Sequence, residues 1–182
     1  MAHLLILGSG FGGVVAAKAL ATTLGSEHRI TLISLNNRFV FSLAVRLALG
    51  ECEIGDISFD LREAMLSRRV QFLEAQVAPI DPYSHSVRTI HSTVEGDISY
   101  DYLIFALGRR LATELAPGFF EYAHHLLTPE SAVKFGKAIC KFGSGHVVLG
   151  LVSSITSRCL FMRLHLRCRD TLKKKGMDSE SS

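Results

Sequence analysis

The chain has 182 residues and a formal net charge of +3, with 48% hydrophobic and 20% charged residues. This balance excludes an intrinsically disordered protein, and apolar runs shorter than roughly 18 residues exclude a membrane-spanning helix. Because no basic segment precedes the apolar start, a typical secretory signal is not indicated, and we expect a globular cytoplasmic protein.

The first predicted elements are a strand, a glycine turn and a helix, in the stretch HLLILGSGFGGVVAAKAL at residues 3–20. The apolar run before Gly8 is typical of a strand that is buried on both faces. The alanine-rich segment after the turn predicts a helix that stops at Gly25, and RITLIS at residues 29–34 predicts a second, parallel strand. The sequence therefore predicts a βαβ unit of an α/β, Rossmann-like fold with a parallel sheet.

The glycine turn has the spacing G-x-G-x-x-G, formed by Gly8, Gly10 and Gly13. Gly8 permits a tight turn, Gly10 lets backbone N–H groups approach a pyrophosphate, and Gly13 lets the helix pack closely on the strand. The helix N-terminus then stabilises the phosphate charge. The strand before the motif and the helix after it favour dinucleotide binding, with a purely structural turn as the alternative.

The second strand ends at Ser34, where such sites normally have an acid that accepts hydrogen bonds from a ribose. A serine hydroxyl can still bond a ribose, but without the strength that charge adds. The alternative is that Arg38 receives a 2′-phosphate, which would make this a site for NADP.

The remaining predicted elements alternate between helices and strands. We expect a helix near 43–49, a helix over 58–69 with Leu61, Met65 and Leu66 on one side, and a helix over 128–142 with Thr128 as N-cap. We expect strands within 70–81, 84–92 and 96–108. A final buried strand is expected within 145–152. His124 and His125 are expected to form a solvated loop pair. The four cysteines lack the spacing of metal ligands, so no metal is expected.

The stretch YDYLIFALGRRL at residues 100–111 makes a resemblance visible. The chain resembles the two-dinucleotide-binding flavoprotein superfamily, in which a YDxLxxATG segment returns to FAD. Ala106, Leu107 and Gly108 stand where that superfamily has Ala-Thr-Gly. Within it the chain is most similar to sulfide:quinone oxidoreductase, with type II NADH dehydrogenase as a neighbour. The resemblance implies an FAD-dependent oxidoreductase, and it covers most of residues 1–150.

The same resemblance implies a set of cofactor-binding residues. It places the FAD pyrophosphate on the glycine turn, the adenosine ribose near the end of the second strand, and the adenine and flavin against later segments. The residues that it implies are Gly8, Ser9, Gly10, Phe11, Gly12, Gly13, Ser34, Leu35, Phe41, Ser42, Gln76, Val77, Ala106, Leu107 and Gly108. Core packing is the alternative for Phe41.

The segment LGLVSSITSRCLF, at residues 149–161, is informative about the electron donor. Type II NADH dehydrogenases have a second glycine-rich turn there, whereas this chain has Gly150 alone, which disfavours NADH. The sulfide-oxidising branch has a redox cysteine, and Cys159 stands at its place. By resemblance Cys159 is the catalytic residue, since a thiolate of lowered pKa beside Arg158 could carry sulfane sulfur. An inert cysteine is the alternative.

The sequence predicts three parts: an FAD-binding domain at 1–115, the start of a second nucleotide-binding domain at 116–150, and a divergent basic segment at 151–182. This last segment holds seven Lys/Arg and three Asp/Glu, a charge of +4, which leaves −1 for residues 1–150. It has no interleaved aromatic stacking residues, so no nucleic-acid partner is expected. Its unfamiliar composition over 152–169 suggests a pair of frame changes in the coding sequence.

Members of the resembled family run to more than twice this length, so we expect a truncated form with incomplete catalytic machinery. The resemblance implies sulfide and quinone as substrates and, in the full-length family, peripheral membrane association. It leaves the oligomeric state open. The alternatives are a fragment of an NAD(P)H-dependent quinone reductase and a non-catalytic nucleotide-binding module.

Overall fold

The computed structural model describes residues 1–41, 43–81, 83–90, 96–108, 118–144 and 146–148, together with Leu172. The chain divides into two compact units. The first unit comprises Met1–Val40 and Ser58–Leu111, and the second comprises Phe41–Ile57 and Ala112–Ser182. The sequence boundaries proposed after residues 115 and 150 fall at residues outside the described part, and they stay predictions.

Strands and helices alternate along the chain. The strands are β1 (His3–Leu7), β2 (Arg29–Ser34), β3 (Arg38–Val40), β4 (Ser58–Asp60), β5 (Gln71–Glu74), β6 (Gln76–Val77), β7 (Ser86–Ile90), β8 (Gly96–Ser99) and β9 (Tyr102–Phe105). The helices are α1 (Phe11–Thr23), α2 (Ala44–Ala48), α3 (Leu61–Leu66), α4 (Phe119–Tyr122) and α5 (Pro129–Lys141). A single 3₁₀ turn, Gly55–Ile57, precedes β4.

The first unit is built on a four-stranded sheet in the order β5-β2-β1-β9, and every neighbouring pair in it is parallel. Helix α1 connects β1 to β2, which form adjacent strands with His3 opposite Arg29. The order and direction confirm the predicted Rossmann-like parallel sheet, because a connection between adjacent parallel strands needs a crossover of this kind.

Apolar clusters cover both faces of this sheet. Leu4 and Ile6 of β1 join one cluster with α1 and α3, while Leu5 and Leu7 join the other. The second cluster lies against a three-stranded antiparallel sheet in the order β6-β7-β8, which contributes Val87. Since both faces of β1 are buried, its sequence is a continuous apolar run rather than an alternating one.

The segment 58–69 differs from its prediction. Its first residues form β4, which pairs antiparallel with β3 and stacks Phe59 on Phe39, with ring centroids 4.9 Å apart. Helix α3 starts only after Asp60, whose carboxylate accepts from the backbone N–H of Glu63. The prediction that Leu66 shares the buried face is wrong, because Leu66 lies five residues after Leu61, about 140° around the helix, and is 77% exposed.

In the second unit, α5 packs on α2 so closely that a Cβ at Gly136 would overlap the carbonyl oxygen of Ala48. The predicted start of α5 is confirmed, since the hydroxyl of Thr128 accepts from the backbone N–H of Ser131. The prediction of a solvated histidine pair is wrong for His125. Its ring is half-buried, lies 3.3 Å from the hydroxyl of Ser131 through Nε2 and stacks on Phe119.

The final strand expected within 145–152 does not form over the described residues 146–148, where Val148 is 89% exposed. The rest of that expected strand lies outside the described residues. Within the described part of the chain, no helix is long and apolar enough to cross a membrane.

His3 joins three strands at the amino end of the parallel sheet. Its Nδ1 donates to the carbonyl oxygen of Ser99 at 2.6 Å, and its Nε2 forms a hydrogen bond of 2.9 Å with the hydroxyl of Thr31, in which either atom can be the donor. Burial lowers the pKa of His3, and the positive charge of Arg29 adds to this against the opposing effects of Ser99 and Asp101.

The free energy of unfolding is therefore expected to fall as the pH decreases from 7.5 to 5. The unfolded chain binds a proton at His3 near pH 6.5, whereas the folded chain binds it only at lower pH, so acid favours unfolding over that window. Urea unfolding at a series of pH values measures this slope. In the variant His3→Gln, the free energy of unfolding should depend less steeply on pH. The dependence that remains is expected to come in part from His125, because burial lowers the pKa of that side chain too. An identical slope in the variant would show that His3 does not contribute.

Candidate functional site

The glycine turn joins β1 to α1 at the carboxyl end of the parallel sheet. Gly8 has a φ of +96°, a left-handed conformation that favours glycine, and its N–H donates to the carbonyl oxygen of Ile33 at 2.8 Å. A Cβ at Gly8 would overlap the carbonyl oxygen of Ala106, just after β9. The turn is therefore held tightly between β2 and the segment that follows β9.

The other glycines of the motif have different surroundings. A Cβ at Gly13 would overlap the carbonyl oxygen of Gly8, so this glycine lets α1 pack against the turn. A Cβ at Gly12 would meet only the Cβ of Ala106, at 3.8 Å, which is ordinary contact. Gly10 is exposed, and a Cβ there would have no atom within 4 Å. Space is thus left open at the one glycine that is expected to lie against a ligand.

Helix α1 begins beside that open space. Gly10 is its N-cap, no side chain caps the helix end, and no acidic residue lies in the first turn. The positive end of the helix dipole is therefore not neutralised by a capping side chain or by an acid of the first turn of α1. Backbone N–H groups at a helix N-terminus bind phosphate oxygens, so the turn fits a pyrophosphate. Phe11, the first residue of α1, is 56% exposed and packs edge-on against Phe39, with ring centroids 5.1 Å apart.

The carboxyl end of β2 contacts the glycine turn directly. The hydroxyls of Ser9 and Ser34 lie 2.6 Å apart, and the backbone N–H of Asn36 points at the Ser34 oxygen from 3.4 Å. Leu35 is 66% exposed. The structure thus brings together two predicted residues, Ser9 and Ser34, by a contact that the sequence analysis did not anticipate.

Glu74 is a charged residue of this region that the sequence analysis missed. It is the last residue of β5, and in the parallel pairing of β2 with β5 it lies opposite Ser34. Its signal in the sequence is an acid directly after the apolar pair Phe72 and Leu73, but Glu74 lies inside the strand predicted within 70–81, whereas β5 ends at it. Its position beside Ser34 follows only from the register between β2 and β5, which local sequence patterns do not determine.

The other predicted cofactor residues are spread over both units. Ala106, Leu107 and Gly108 follow β9, and Gly108 has a φ of +74°. In β6 the side chain of Gln76 is exposed, whereas that of Val77 packs against the core, so only the backbone of Val77 could face a ligand. Phe41 belongs to the second unit.

Ser42 and Cys159 lie outside the described residues. The roles of all the predicted site residues stay predictions. Among the described residues, no group of three or more His, Cys, Asp and Glu side chains could hold a metal ion.

Comparisons with known proteins find one family over most of the chain. The family described as "Pyridine nucleotide-disulphide oxidoreductase" matches residues 2–150. Over 150 residues the chain is 29% identical to "Alternative NAD(P)H-ubiquinone oxidoreductase C1, chloroplastic/mitochondrial" of Arabidopsis thaliana, which covers 75% of this chain and 29% of that protein. It is 28% identical over 137 residues to "Type II NADH:quinone oxidoreductase" of Staphylococcus haemolyticus, covering 74% of this chain and 33% of that protein.

Among solved structures, the sulfide:quinone oxidoreductase of Aquifex aeolicus has a similar fold. It superposes with a TM-score of 0.70 and 30% sequence identity, covering 77% of this chain and 32% of that one. The chain therefore spans about a third of the length of the proteins that it matches.

Proposed function

We propose that this chain, which belongs to the pyridine nucleotide-disulphide oxidoreductase family by the match over residues 2–150, is the FAD-binding part of a quinone-reducing flavoprotein. The observation that carries the proposal is the open space at Gly10, beside the uncapped start of α1, within a turn that is otherwise closely packed. The chain's similarity to NAD(P)H-ubiquinone oxidoreductases and to a sulfide:quinone oxidoreductase supports the choice of reaction class.

The residues present fit the adenosine and pyrophosphate parts of FAD. The turn from Gly8 to Gly13 would hold the pyrophosphate, with the ribose near Ser34 and Leu35 and the adenine near the backbone of Gln76 and Val77. The segment Ala106–Gly108 would close on the cofactor from β9. When bound, FAD supplies a flavin that accepts two electrons from a donor and passes them on to an acceptor. The described residues bind and orient it.

For the electron donor we favour sulfide: formation of the S–S bond of a persulfide between hydrosulfide and the Cys159 thiolate would release two electrons, and bound FAD would supply their acceptor. This assignment rests on the resemblance of the 149–161 segment to the sulfide-oxidising branch. The similarity to proteins named NAD(P)H-ubiquinone oxidoreductases favours a second candidate, an NAD(P)H-dependent reductase. Peripheral membrane association belongs to the same proposal, and it rests on the resemblance to the quinone-reducing flavoproteins.

A visible absorption spectrum of the purified chain tests the proposal. We expect a flavin spectrum, and one FAD per chain after incubation with FAD and gel filtration. A colourless chain that binds NADPH would favour an NAD(P)H-binding domain, and one that binds neither would favour a module without this function. If flavin is bound, anaerobic addition of sulfide or NADH distinguishes the two donors. Bleaching by sulfide that is lost in Cys159→Ser would support the first.

A further inference from the structure

The end of β2 provides only a neutral group to a bound nucleotide. The hydroxyl of Ser34 is engaged with Ser9 at 2.6 Å and also lies 3.4 Å from the backbone N–H of Asn36. An acid at this place would accept two ribose hydroxyls at once and would repel a phosphate on the ribose. With these partners, the hydroxyl of Ser34 can accept at most one further hydrogen bond, and because it is neutral it does not repel a phosphate on the ribose.

The nearest acid in the sheet register is on the neighbouring strand. Glu74 lies opposite Ser34, and adjacent strands are roughly 4.8 Å apart. Phe72 and Leu32, two residues before Glu74 and Ser34, both pack in the cluster under α1 and α3. Because side chains alternate along a strand, Glu74 and Ser34 leave the sheet on that same face, at its carboxyl end.

The carboxylate of Glu74 keeps its capacity to interact with a ligand. Among the residues that the structure describes, its ion-pair partner is Arg62, at the long distance of 4.0 Å, and the side chains of Glu74 and Arg62 are 43% and 66% exposed. Exposed pairs of this kind contribute little. The other nearby arginine, Arg38, donates to the hydroxyl of Ser58 at 3.0 Å on the β3–β4 ribbon. Glu74 is therefore the acid placed to set the charge at the ribose position.

We propose that Glu74 determines nucleotide specificity at this site: it accepts from the ribose of an adenine nucleotide and excludes a ribose that carries a 2′-phosphate. The proposal rests on the proposed function, because it concerns the ribose of the same nucleotide. The acid that such sites normally have on β2 is thus displaced by one strand, to the end of β5. This placement also opposes the use of Arg38 for a 2′-phosphate.

The test compares two ligands that differ only in that phosphate. ADP-ribose and 2′-phospho-ADP-ribose are titrated by calorimetry into the full chain freed of bound flavin. We expect the wild-type chain to bind ADP-ribose about tenfold more tightly, since a phosphate adds nearly two negative charges close to a carboxylate. In Glu74→Gln this preference should fall to about twofold, and ADP-ribose affinity should itself fall severalfold, because a neutral amide oxygen accepts from the ribose more weakly than a carboxylate.

The control variant is Glu27→Gln, which removes the same charge just before the amino end of β2 and should keep the tenfold preference. A second arm uses the wild-type chain alone: at 1 M salt, where the Debye length is about 3 Å, its preference should shrink towards that of Glu74→Gln. A wild-type chain that binds 2′-phospho-ADP-ribose at least as tightly would overturn the proposal and assign Arg62 or Arg38 to the phosphate.

The outcomes separate this proposal from the proposed function. If the chain retains FAD but Glu74→Gln keeps the wild-type preference, only the role of Glu74 is wrong. If the chain does not bind FAD but shows the preference and its loss in Glu74→Gln, the role of Glu74 stands and the choice of FAD is wrong. A folded chain that binds neither ADP-ribose nor FAD overturns both.

Discussion

Replacement of Gly10 by leucine is expected to abolish FAD binding while the fold remains intact. A Cβ at this position has no protein atom within 4 Å, and Gly10 has an ordinary negative φ of −67° as the N-cap of α1. The leucine side chain would therefore be accommodated by the protein but would occupy the space proposed for the pyrophosphate. We expect affinity to fall by roughly 100-fold or more, which corresponds to a loss of about 3 kcal/mol.

Flavin content after gel filtration measures the expected loss of FAD binding, and the far-ultraviolet circular dichroism spectrum measures whether the fold remains intact. Gly143→Leu is the matched control, because Gly143 is also exposed with no atom within 4 Å of a Cβ, but lies after α5 in the second unit. It should keep wild-type flavin content. Retention of FAD by Gly10→Leu would show that the pyrophosphate does not lie on this turn.

Replacement of Gly13 by alanine is expected to destabilise the first unit by about 3 kcal/mol. The added methyl group would overlap the carbonyl oxygen of Gly8, which is a backbone atom and cannot move aside like a flexible side chain. Gly8 in turn is held by its hydrogen bond to Ile33 and by the approach of Ala106. Relief of the overlap requires α1 to move away from the sheet.

Gly12→Ala is the matched control for this effect, since it adds the same methyl group one residue earlier in the same helix. Its nearest neighbour would be the Cβ of Ala106 at 3.8 Å, and alanine favours a helix by up to about 1 kcal/mol over glycine. Urea unfolding should therefore show Gly12→Ala as stable as the wild type or more so. Equal midpoints for the two variants would contradict the role given to Gly13.

The sequence predicted the βαβ core well because two strong local signals coincide there. The apolar run of β1 needs burial on both faces, and the G-x-G-x-x-G spacing constrains the turn that follows it. Elsewhere a long-range pairing decided the outcome. Residues Ser58–Asp60 were predicted as helix but pair with β3, and Phe59 stacks on Phe39. These contacts join residues that are far apart in the sequence, so the local pattern of apolar residues does not predict them.

The site shows the same division between local and long-range information. The glycine roles follow from spacing, and the open position at Gly10 fits them. The contact between Ser9 and Ser34 joins residues 25 positions apart, and the place of Glu74 beside Ser34 depends on the register between β2 and β5. His125 was expected to be solvated because the sequence near it offers no carboxylate or thiol partner, whereas its observed partner is the hydroxyl of Ser131 on the first turn of α5.

Strand β1 is synthesised long before β9, the strand that pairs with one of its edges. Strand β2 follows β1 closely in the sequence, so the two strands can pair soon after both leave the ribosome. Asp101, which directly precedes β9 and whose carboxylate accepts from the backbone N–H of His3, lies 98 residues after His3. At translation rates of about 5–20 residues per second, the other edge of β1 waits roughly 5–20 s for its partner. Until β9 is made, this apolar strand edge stays unpaired by its native partner and is open to pairing with other chains.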